Sequence, residues 1–240
     1  AMESFGWSET GKLREQNEDA IYCDDQTGVY IVADGMGGHQ AGEVASREAI
    51  RTFLAAYEEG KKEEVTDRII SSMAKANEAV FQESLQEETR QGMGTTFTCA
   101  VVQGNRAVFG HVGDSRAYLY RKGTLRQITR DHSYVMEMVK QGKLTLEEAA
   151  VHPQRNVITR AIGTKEPMGS DLYMEEIKSG DRILLCSDGL TSMVDDAAIA
   201  TILEEEQPVE QSARALAKKA NENGGKDNIS VILIQCEVEP

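Results

Sequence analysis

Residues 29–38 read Val29-Tyr30-Ile31-Val32-Ala33-Asp34-Gly35-Met36-Gly37-Gly38, an apolar run that ends in an acid and glycines. Much later in the chain, Ile183-Leu184-Leu185-Cys186-Ser187-Asp188-Gly189 repeats this arrangement. Each apolar run predicts a buried strand. A carboxylate at the end of such a strand, beside a glycine, is well placed to hold a metal ion because nothing bulky blocks a ligand. Asp227-Asn228 precedes the last apolar run, at 229–234, so three acids at strand ends indicate one shared cation site.

An Asp-Gly pair is also typical of a type I′ hairpin turn between two strands. That alternative needs a second strand directly after each glycine. The sequence after Gly35 is instead Met-Gly-Gly-His-Gln-Ala-Gly, followed by a helical pattern. After Gly189 come Leu-Thr-Ser-Met and then acids that are typical of a helix start. These continuations favour metal-holding strand ends over hairpin turns.

Composition narrows the class of protein. A length of 240 residues suits one large domain, 1–240, and the 28% of charged residues is ordinary for a soluble globular chain. A net charge of −14 argues against nucleic acid as a partner, because phosphate backbones need a basic surface. No apolar run approaches the roughly 20 residues of a membrane span, and no secretory signal is visible. We expect four reduced cysteines and a cytoplasmic protein, since none of them forms a C-x-x-C pair: Cys23, Cys99, Cys186 and Cys236.

Hydrophobic periodicity predicts a mixed order of elements. Two amphipathic helices are expected at 41–58 and 64–86. Four strand candidates then follow closely and should pair antiparallel, because no helix separates them. The remaining predicted elements are helices at 132–142, 145–150, 195–205 and 208–221, a surface segment at 152–166, and strands at 173–177, 182–186 and 229–237. This order fits an α+β fold, with two antiparallel sheets packed together and helix pairs outside them.

The acids suggest a particular chemistry. Hard oxygen ligands select Mg²⁺ or Mn²⁺ over zinc. Two such ions, roughly 3.5–4 Å apart, can lower the pKa of a shared water so that its hydroxide attacks phosphorus in line. An arginine nearby would grip the phosphate oxygens, and Arg14 within Gly11-Lys12-Leu13-Arg14-Glu15-Gln16-Asn17-Glu18-Asp19 is a candidate. Taken alone, an arginine near acids is more often a surface ion pair.

Six motifs in a fixed order carry a resemblance to a known family: Gly11-x-x-Arg14-x-x-Asn17-Glu18-Asp19, Asp34-Gly35-Met36-Gly37-Gly38-His39, Gly92-Met93-Gly94-Thr95-Thr96, His111-Val112-Gly113-Asp114-Ser115-Arg116, Ser187-Asp188-Gly189-Leu190 and Asp227-Asn228. Together they resemble the metal-dependent serine/threonine protein phosphatases of type 2C, particularly the bacterial ones. The match spans nearly the whole chain. The fold that it implies is the α-β-β-α sandwich, in agreement with the predicted order of elements.

The resemblance implies a metal centre. Asp34 would bridge two Mn²⁺ or Mg²⁺ ions, with the carbonyl of Gly35 on the second ion. Asp188 and Asp227 would complete the shell of the first ion. Asp114, together with Asp188, matches the site of a third ion in the bacterial members.

The resemblance also implies roles around the ions. Arg14 would bind the substrate phosphate. Glu18 and Asp19 would act through waters on the ions, and Asn228 would support the ligands from behind. The implied activity is hydrolysis of phosphoserine and phosphothreonine by attack of a metal-bridging hydroxide, without a covalent intermediate. The implied partners are phosphorylated proteins and a cognate Ser/Thr protein kinase, and we expect a monomer.

One position departs from many eukaryotic members, which carry a histidine directly after the Asp-Gly pair as a proposed general acid. Here that residue is Met36, which cannot donate a proton. His39 is a possible substitute, although a supporting role behind the ligands is the simpler interpretation. Water on a metal ion would otherwise protonate the leaving oxygen. We interpret His111, His132 and His152 as packing or loop residues.

Residues 152–163 match the region within or just after the mobile flap of the bacterial members, and the whole flap segment is expected at 133–165. Arg155 and Arg160 within it are either contacts for phosphopeptide acids or ordinary surface arginines. Two other functions stay open on the sequence: a non-catalytic relative that reads phosphoproteins, and a phosphatase dedicated to one anti-sigma-factor antagonist.

Overall fold

Two antiparallel sheets face each other in the computed structural model, which describes residues 2–239; Ala1 and Pro240 of the expected domain lie outside it. One sheet has the order β1-β11-β10-β7-β8, and the other has the order β2-β3-β5-β6-β9 with β4 paired to β3. The strands are β1 Met2–Glu9, β2 Asp19–Asp24, β3 Val29–Met36, β4 Gly94–Thr95, β5 Phe97–Gln103, β6 Arg106–Val112, β7 Arg116–Arg121, β8 Thr124–Gln127, β9 Asp171–Glu176, β10 Arg182–Cys186 and β11 Ile229–Cys236.

Helices cover the outer faces of both sheets. The helices are α1 Ala41–Glu59, α2 Val65–Ser84, α3 Tyr134–Lys140, α4 Leu146–Ala150, α5 Asp188–Thr191, α6 Asp196–Glu204 and α7 Val209–Glu222. The pair α1 and α2 packs on the sheet that contains β3, and α5 to α7 pack on the sheet that contains β11. The predicted α-β-β-α sandwich is therefore confirmed.

Three apolar layers hold the sandwich together. On α1, Ala45, Ala49 and Phe53 recur every four residues and are fully buried, as the helical period requires. A second layer lies under α6 and α7, and a third fills the space between the sheets. No helix among residues 2–239 combines the length and the apolar character that crossing a membrane demands.

The prediction that the four closely spaced strands pair in succession is wrong at one step. The strands β5 and β6 form a hairpin in one sheet, whereas β7 and β8 form a hairpin in the other. Residues 113–115 carry the chain across, and we call them the crossover. Gly113 has φ 107°, and a Cβ there would lie 2.6 Å from the Thr96 side chain, so only glycine fits. Spacing along the chain predicted that these strands pair antiparallel. It could not show that the two hairpins belong to different sheets.

Neither Asp-Gly pair forms a hairpin turn. Asp34 and Gly35 lie inside β3, and Asp188 is the first residue of α5. The segment 152–166 is only partly a surface segment, because Ile162 is buried and pairs with Thr95. Periodicity missed two very short elements, α5 and the 3₁₀ turn Glu88–Arg90, since neither is long enough to show a helical repeat.

Candidate active site

Three acids that are far apart in the sequence meet at one end of the sandwich. Asp34 comes from β3 in one sheet, while Asp188 and Asp227 flank β10 and β11 in the other. A carboxylate oxygen from each lies within 4.8 Å of the other two. Oxygens at this separation can share one hard divalent cation. The expectation that strand ends bring these acids together therefore agrees with the geometry.

The glycine of each Asp-Gly pair admits a neighbouring backbone. A Cβ on Gly35 would lie 1.8 Å from the carbonyl oxygen of Gly42 at the start of α1. A Cβ on Gly189 would lie 1.8 Å from the carbonyl oxygen of Asn228. Any larger residue would push these segments apart. The two glycines therefore let these backbone segments pack directly against the Asp-Gly pairs. The sequence interpretation had assigned the glycines only to ligand access.

Further acids surround these three, and we call the set the carboxylate cluster: Glu18, Asp19, Asp34, Asp114, Asp188 and Asp227. Burial, followed by repulsion from Asp19 and Asp188, raises the pKa of Asp34 well above its ordinary value. Burial, followed by the charges of Asp188 and Asp131, does the same to the pKa of Asp114. Burial also raises the pKa of Asp188 and brings that of Asp19 to about 7. These carboxylates therefore resist ionisation unless cations neutralise them.

Several oxygens of the carboxylate cluster have nothing to bind within the protein. Of the five buried side-chain oxygens that lack a hydrogen-bond partner in residues 2–239, three belong to Glu18, Asp19 and Asp188. Buried polar atoms normally have partners, and each exception calls for an explanation. A set of anionic oxygens without protein donors fits Mg²⁺ or Mn²⁺, whereas zinc prefers nitrogen and sulfur.

Arg14 lies at the mouth of the cluster. Its Nε is 3.5 Å from Oδ1 of Asp227, and half of its side chain is exposed. Both residues line a cavity of about 400 Å³ that also reaches Asp34, Asp188 and Met36. The surface ion pair that the sequence left open thus exists, and it faces the cavity that holds the acids. A guanidinium in this place can bind a phosphate that enters.

Asn228 makes three hydrogen bonds to the loop that carries Arg14. Its Oδ1 accepts a hydrogen bond from the backbone N–H of Glu18 at 2.9 Å. Its Nδ2 donates to the carbonyl oxygens of Thr10 and Gln16 at 2.9 and 2.8 Å. These bonds hold both ends of the loop that carries Arg14. Sequence spacing alone could not show this function of the amide.

His39 is absent from the described lining of the cavity that holds the acids. It is exposed on the turn that precedes α1, with φ 54°. Met36 does line the cavity. His111 is fully buried between Thr98 and the carbonyl oxygen of Arg130, in keeping with a packing residue, and burial lowers its pKa to about 4.

The two arginines of the flap segment differ. Arg155 lines the cavity beside Asn156 and Ile158. Arg160 instead donates to the carbonyl oxygen of Gly169 at 2.9 Å and lies 3.7 Å from Asp171. Arg155 therefore faces the cavity that holds the acids, whereas Arg160 contacts other parts of the protein.

Two polar features were missed by the sequence interpretation. Thr96 Oγ1 accepts from the backbone N–H of Asp34 at 3.0 Å and lies 2.6 Å from the hydroxyl of Ser115. Thr96 and Ser115 both belong to motifs named in the sequence analysis. Their position beside apolar strands was the sequence signal that could have indicated this contact. The second feature is a salt bridge in which Arg116 donates twice to Asp131, at 3.0 and 2.8 Å. It lines a second cavity of about 450 Å³ beside Asp114.

Comparison with known proteins gives consistent results. A family profile described as protein phosphatase 2C matches residues 12–233. The serine/threonine phosphatase stp of Listeria welshimeri is 37% identical over 235 residues, covering 95% of this chain and 93% of that protein. The crystal structure of the Mycobacterium tuberculosis serine/threonine phosphatase PstP/Ppp superimposes with a TM-score of 0.92 at 38% identity, covering 98% of this chain and 99% of that one. A catalytic domain of PstP in complex with two manganese ions has a TM-score of 0.87 at 36% identity, with coverage of 98% and 97%.

Proposed function

The chain belongs to the protein phosphatase 2C family and is a metal-dependent serine/threonine protein phosphatase, and we propose that it reverses the action of a Ser/Thr protein kinase of the same cell. The observation that carries the proposal is the carboxylate cluster, whose unpartnered oxygens and raised pKa values suit divalent cations. Residues 1–240 then form one catalytic domain of a cytoplasmic signalling enzyme, with 133–165 as its flap segment. The enzyme acts as a monomer.

Different residues would hold different cations. Asp34, the carbonyl of Gly35, Asp188 and Asp227 would hold two ions, and Asp114 with Asp188 would hold a third. Mn²⁺ or Mg²⁺, when bound, supplies Lewis acidity and lowers the pKa of water so that it can attack phosphorus. The protein's own part is to position the carboxylates, which Asn228 and Thr96 support by accepting hydrogen bonds from the backbone N–H groups of Glu18 and Asp34.

Residues at the rim of the cavity bind the substrate. Arg14 binds the phosphate oxygens, and its pairing with Asp227 keeps the guanidinium beside the acids before substrate arrives. Arg155 contacts the protein substrate from the flap segment. Water activated by the cations would attack phosphorus directly, and because Met36 in this lining cannot donate a proton, a water would protonate the leaving oxygen.

Phosphate release from a phosphothreonine peptide tests the proposal. We expect activity with Mn²⁺ or Mg²⁺ and none after chelation by EDTA. Asp188→Asn should remove the activity, while Arg160→Ala, outside the described cavity, should retain it. Undiminished activity of Asp188→Asn would contradict the assigned ligands, and binding of the peptide without turnover would favour a phosphoprotein reader.

A second measurement addresses the substrate. A kinase activation-loop phosphopeptide and a phosphorylated anti-sigma-factor antagonist are compared at equal concentration. We expect a higher kcat/KM for the activation-loop peptide. The reverse preference would assign the enzyme to the antagonist.

A further inference from the structure

His132 binds both backbone groups of Gly113 in the crossover. Its backbone N–H donates to the carbonyl oxygen of Gly113 at 2.8 Å. Its ring Nδ1 accepts from the backbone N–H of Gly113 at 3.0 Å. His132 is 3% exposed, so neither bond competes with water. One residue therefore holds the peptide groups directly before Asp114.

The same ring makes a second contact that fixes its tautomer. Because Nδ1 accepts a hydrogen bond, the neutral ring carries its hydrogen on Nε2. Nε2 lies 2.8 Å from Oδ2 of Asp171 in β9 and donates to it. Asp171 also accepts from the hydroxyl of Tyr173 at 3.2 Å. The ring is thus oriented from the sheet side, with its acceptor nitrogen aimed at the crossover.

The backbone of His132 also begins the flap segment. Its carbonyl oxygen accepts from the N–H of Thr159 at 2.9 Å. Ser133 pairs with Ile158, and the N–H of Tyr134 donates to the carbonyl oxygen of Val157 at 2.9 Å. These bonds pair residues 132–134 with residues 157–159 in an antiparallel arrangement, and we call this pairing the base of the flap segment. His132 therefore lies where this base meets the crossover.

The crossover is held from two sides. On one side, the hydroxyl of Ser115 lies 2.6 Å from that of Thr96, and Gly113 packs against the Thr96 side chain. On the other side, His132 binds both peptide groups of Gly113. Asp114 is buried and follows Gly113 directly, so its position depends on these contacts.

We propose that His132 is a positioning residue that joins the crossover to the base of the flap segment, so that Asp114 and the substrate-facing residues Arg155 to Ile158 move as one unit. This inference rests on the proposed function in one respect, the cation at Asp114. Cation binding at Asp114 and the order of the flap segment are then coupled. Occupation of one stabilises the arrangement required by the other.

Two isosteric replacements separate the contacts of the ring. In His132→Asn the amide oxygen can replace Nδ1 and still accept from Gly113, but the contact with Asp171 is lost. In His132→Gln the amide nitrogen can replace Nε2 and still donate to Asp171, but the acceptor for Gly113 is lost. Asn77→Ala is the matched control. Its Oδ1 accepts from Gly163 and Thr164 at 2.7 and 3.0 Å, so it anchors the far end of the flap segment without contacting the crossover.

The measurements are Mn²⁺ calorimetry and hydrogen exchange of the full chain. For His132→Gln we expect about tenfold weaker Mn²⁺ binding at the weakest site, as for outer contacts of metal ligands. Exchange should rise together at 113–115 and 155–159. His132→Asn should recover most of the Mn²⁺ affinity. Asn77→Ala should raise exchange at 160–164 only and leave Mn²⁺ binding unchanged.

Three outcomes would overturn the inference: wild-type Mn²⁺ affinity in His132→Gln, equal losses in the Asn and Gln variants, or equal losses in Asn77→Ala. If His132→Gln does not fold, Asp171→Ala removes the orienting acceptor from the edge strand β9 and gives the same comparison with Asn77→Ala. Asp114→Asn separates a failure of the proposed third cation from a failure of the proposed coupling through His132. If it leaves the number of bound Mn²⁺ ions unchanged, the proposed third cation is wrong. The joint rise in hydrogen exchange at 113–115 and 155–159 in His132→Gln still tests whether the crossover and the flap segment are coupled.

Discussion

Two groups of charged residues lie side by side at the same end of the sandwich and are built in opposite ways. The carboxylate cluster contains only acids, and three of its oxygens lack a partner. The neighbouring group, which we call the arginine network, consists of Arg116, Tyr118, Asp131 and Asp196. There Arg116 donates to Asp131 and to the Tyr118 hydroxyl at 2.8 Å, and that hydroxyl donates to Asp196 at 2.7 Å.

The pKa values reflect the same contrast. In the carboxylate cluster burial and repulsion act together and raise the pKa of Asp34. In the arginine network burial disfavours the charge of Arg116, but Asp131 outweighs it and holds the pKa of the guanidinium well above its usual value. A buried charge is stable when the protein supplies its partner. The arginine network is complete within the chain, whereas three oxygens of the carboxylate cluster lack a partner there, and our proposal assigns cations to them.

Asp34→Asn should have the largest effect and should separate function from stability. We expect phosphatase activity to fall on the order of 10³-fold, because a ligand for the cations is lost. The metal-free variant should nevertheless unfold at a higher temperature than the wild type, since one repelled charge is gone. Activity assays and thermal unfolding in EDTA measure both. Asp131→Asn is the control, and its stability should fall with or without Mn²⁺.

The pH dependence of the metal-free protein sharpens the comparison at Asp19. Its pKa is about 7 in the folded state through burial and is 3.8 ordinarily. The folded state thus binds more protons than the unfolded state between these values, so this group lowers stability as pH rises from 4 to 7, by about 4 kcal/mol at most. Urea unfolding in EDTA should show a smaller loss in Asp19→Asn than in the wild type, because Asp34, Asp114 and Asp188, whose pKa values are also raised, remain. A difference between them that does not vary with pH would contradict the assignment.

Arg116→Ala tests the completeness of the arginine network. It leaves the charge of Asp131, whose side chain is 11% exposed, without its partner. We expect a loss of about 3 kcal/mol in the free energy of unfolding. Arg47→Ala removes a mostly exposed ion pair with Glu43 and should change stability by less than about 1 kcal/mol. Similar values for both variants would mean that the network is no more than a surface feature.

Tyr118→Phe should have the smallest effect. The hydroxyl between Arg116 and Asp196 disappears, while the ring keeps its place in the core. Loss of these hydrogen bonds should cost about 1 kcal/mol in the free energy of unfolding. Mn²⁺-dependent activity should stay at the wild-type level, because the hydroxyl does not line the catalytic cavity. A large loss of activity would show that the two groups are not independent.

Local patterns predicted much of the fold. The amphipathic helix expected at 41–58 and the apolar runs of β3, β10 and β11 appear in the structure close to the expected places. These signals are local because each element buries one face, whatever lies opposite it. The division of β6 and β7 between two sheets was missed, since strand pairing depends on contacts that are distant in sequence.

The candidate site divides in the same way. Asp34, Asp188 and Asp227 were predicted from their places at apolar runs, and the resemblance added Asp114. The support that His132 gives to the crossover and the pairing of Arg116 with Asp131 were not predicted. A lone histidine or arginine in a sequence is compatible with many partners. Only the fold determines which of these partners lies within hydrogen-bond distance.

The sequence by itself determined the layers of the sandwich, the acidic residues of the site and, by resemblance, the family. It could do so because burial and ligand chemistry depend on residue type and on short spacing. Only the tertiary structure decided which acids meet, which charges the protein neutralises itself and which it leaves without partners. Those properties depend on distances of a few ångströms between segments from opposite sheets, which only the folded chain brings together.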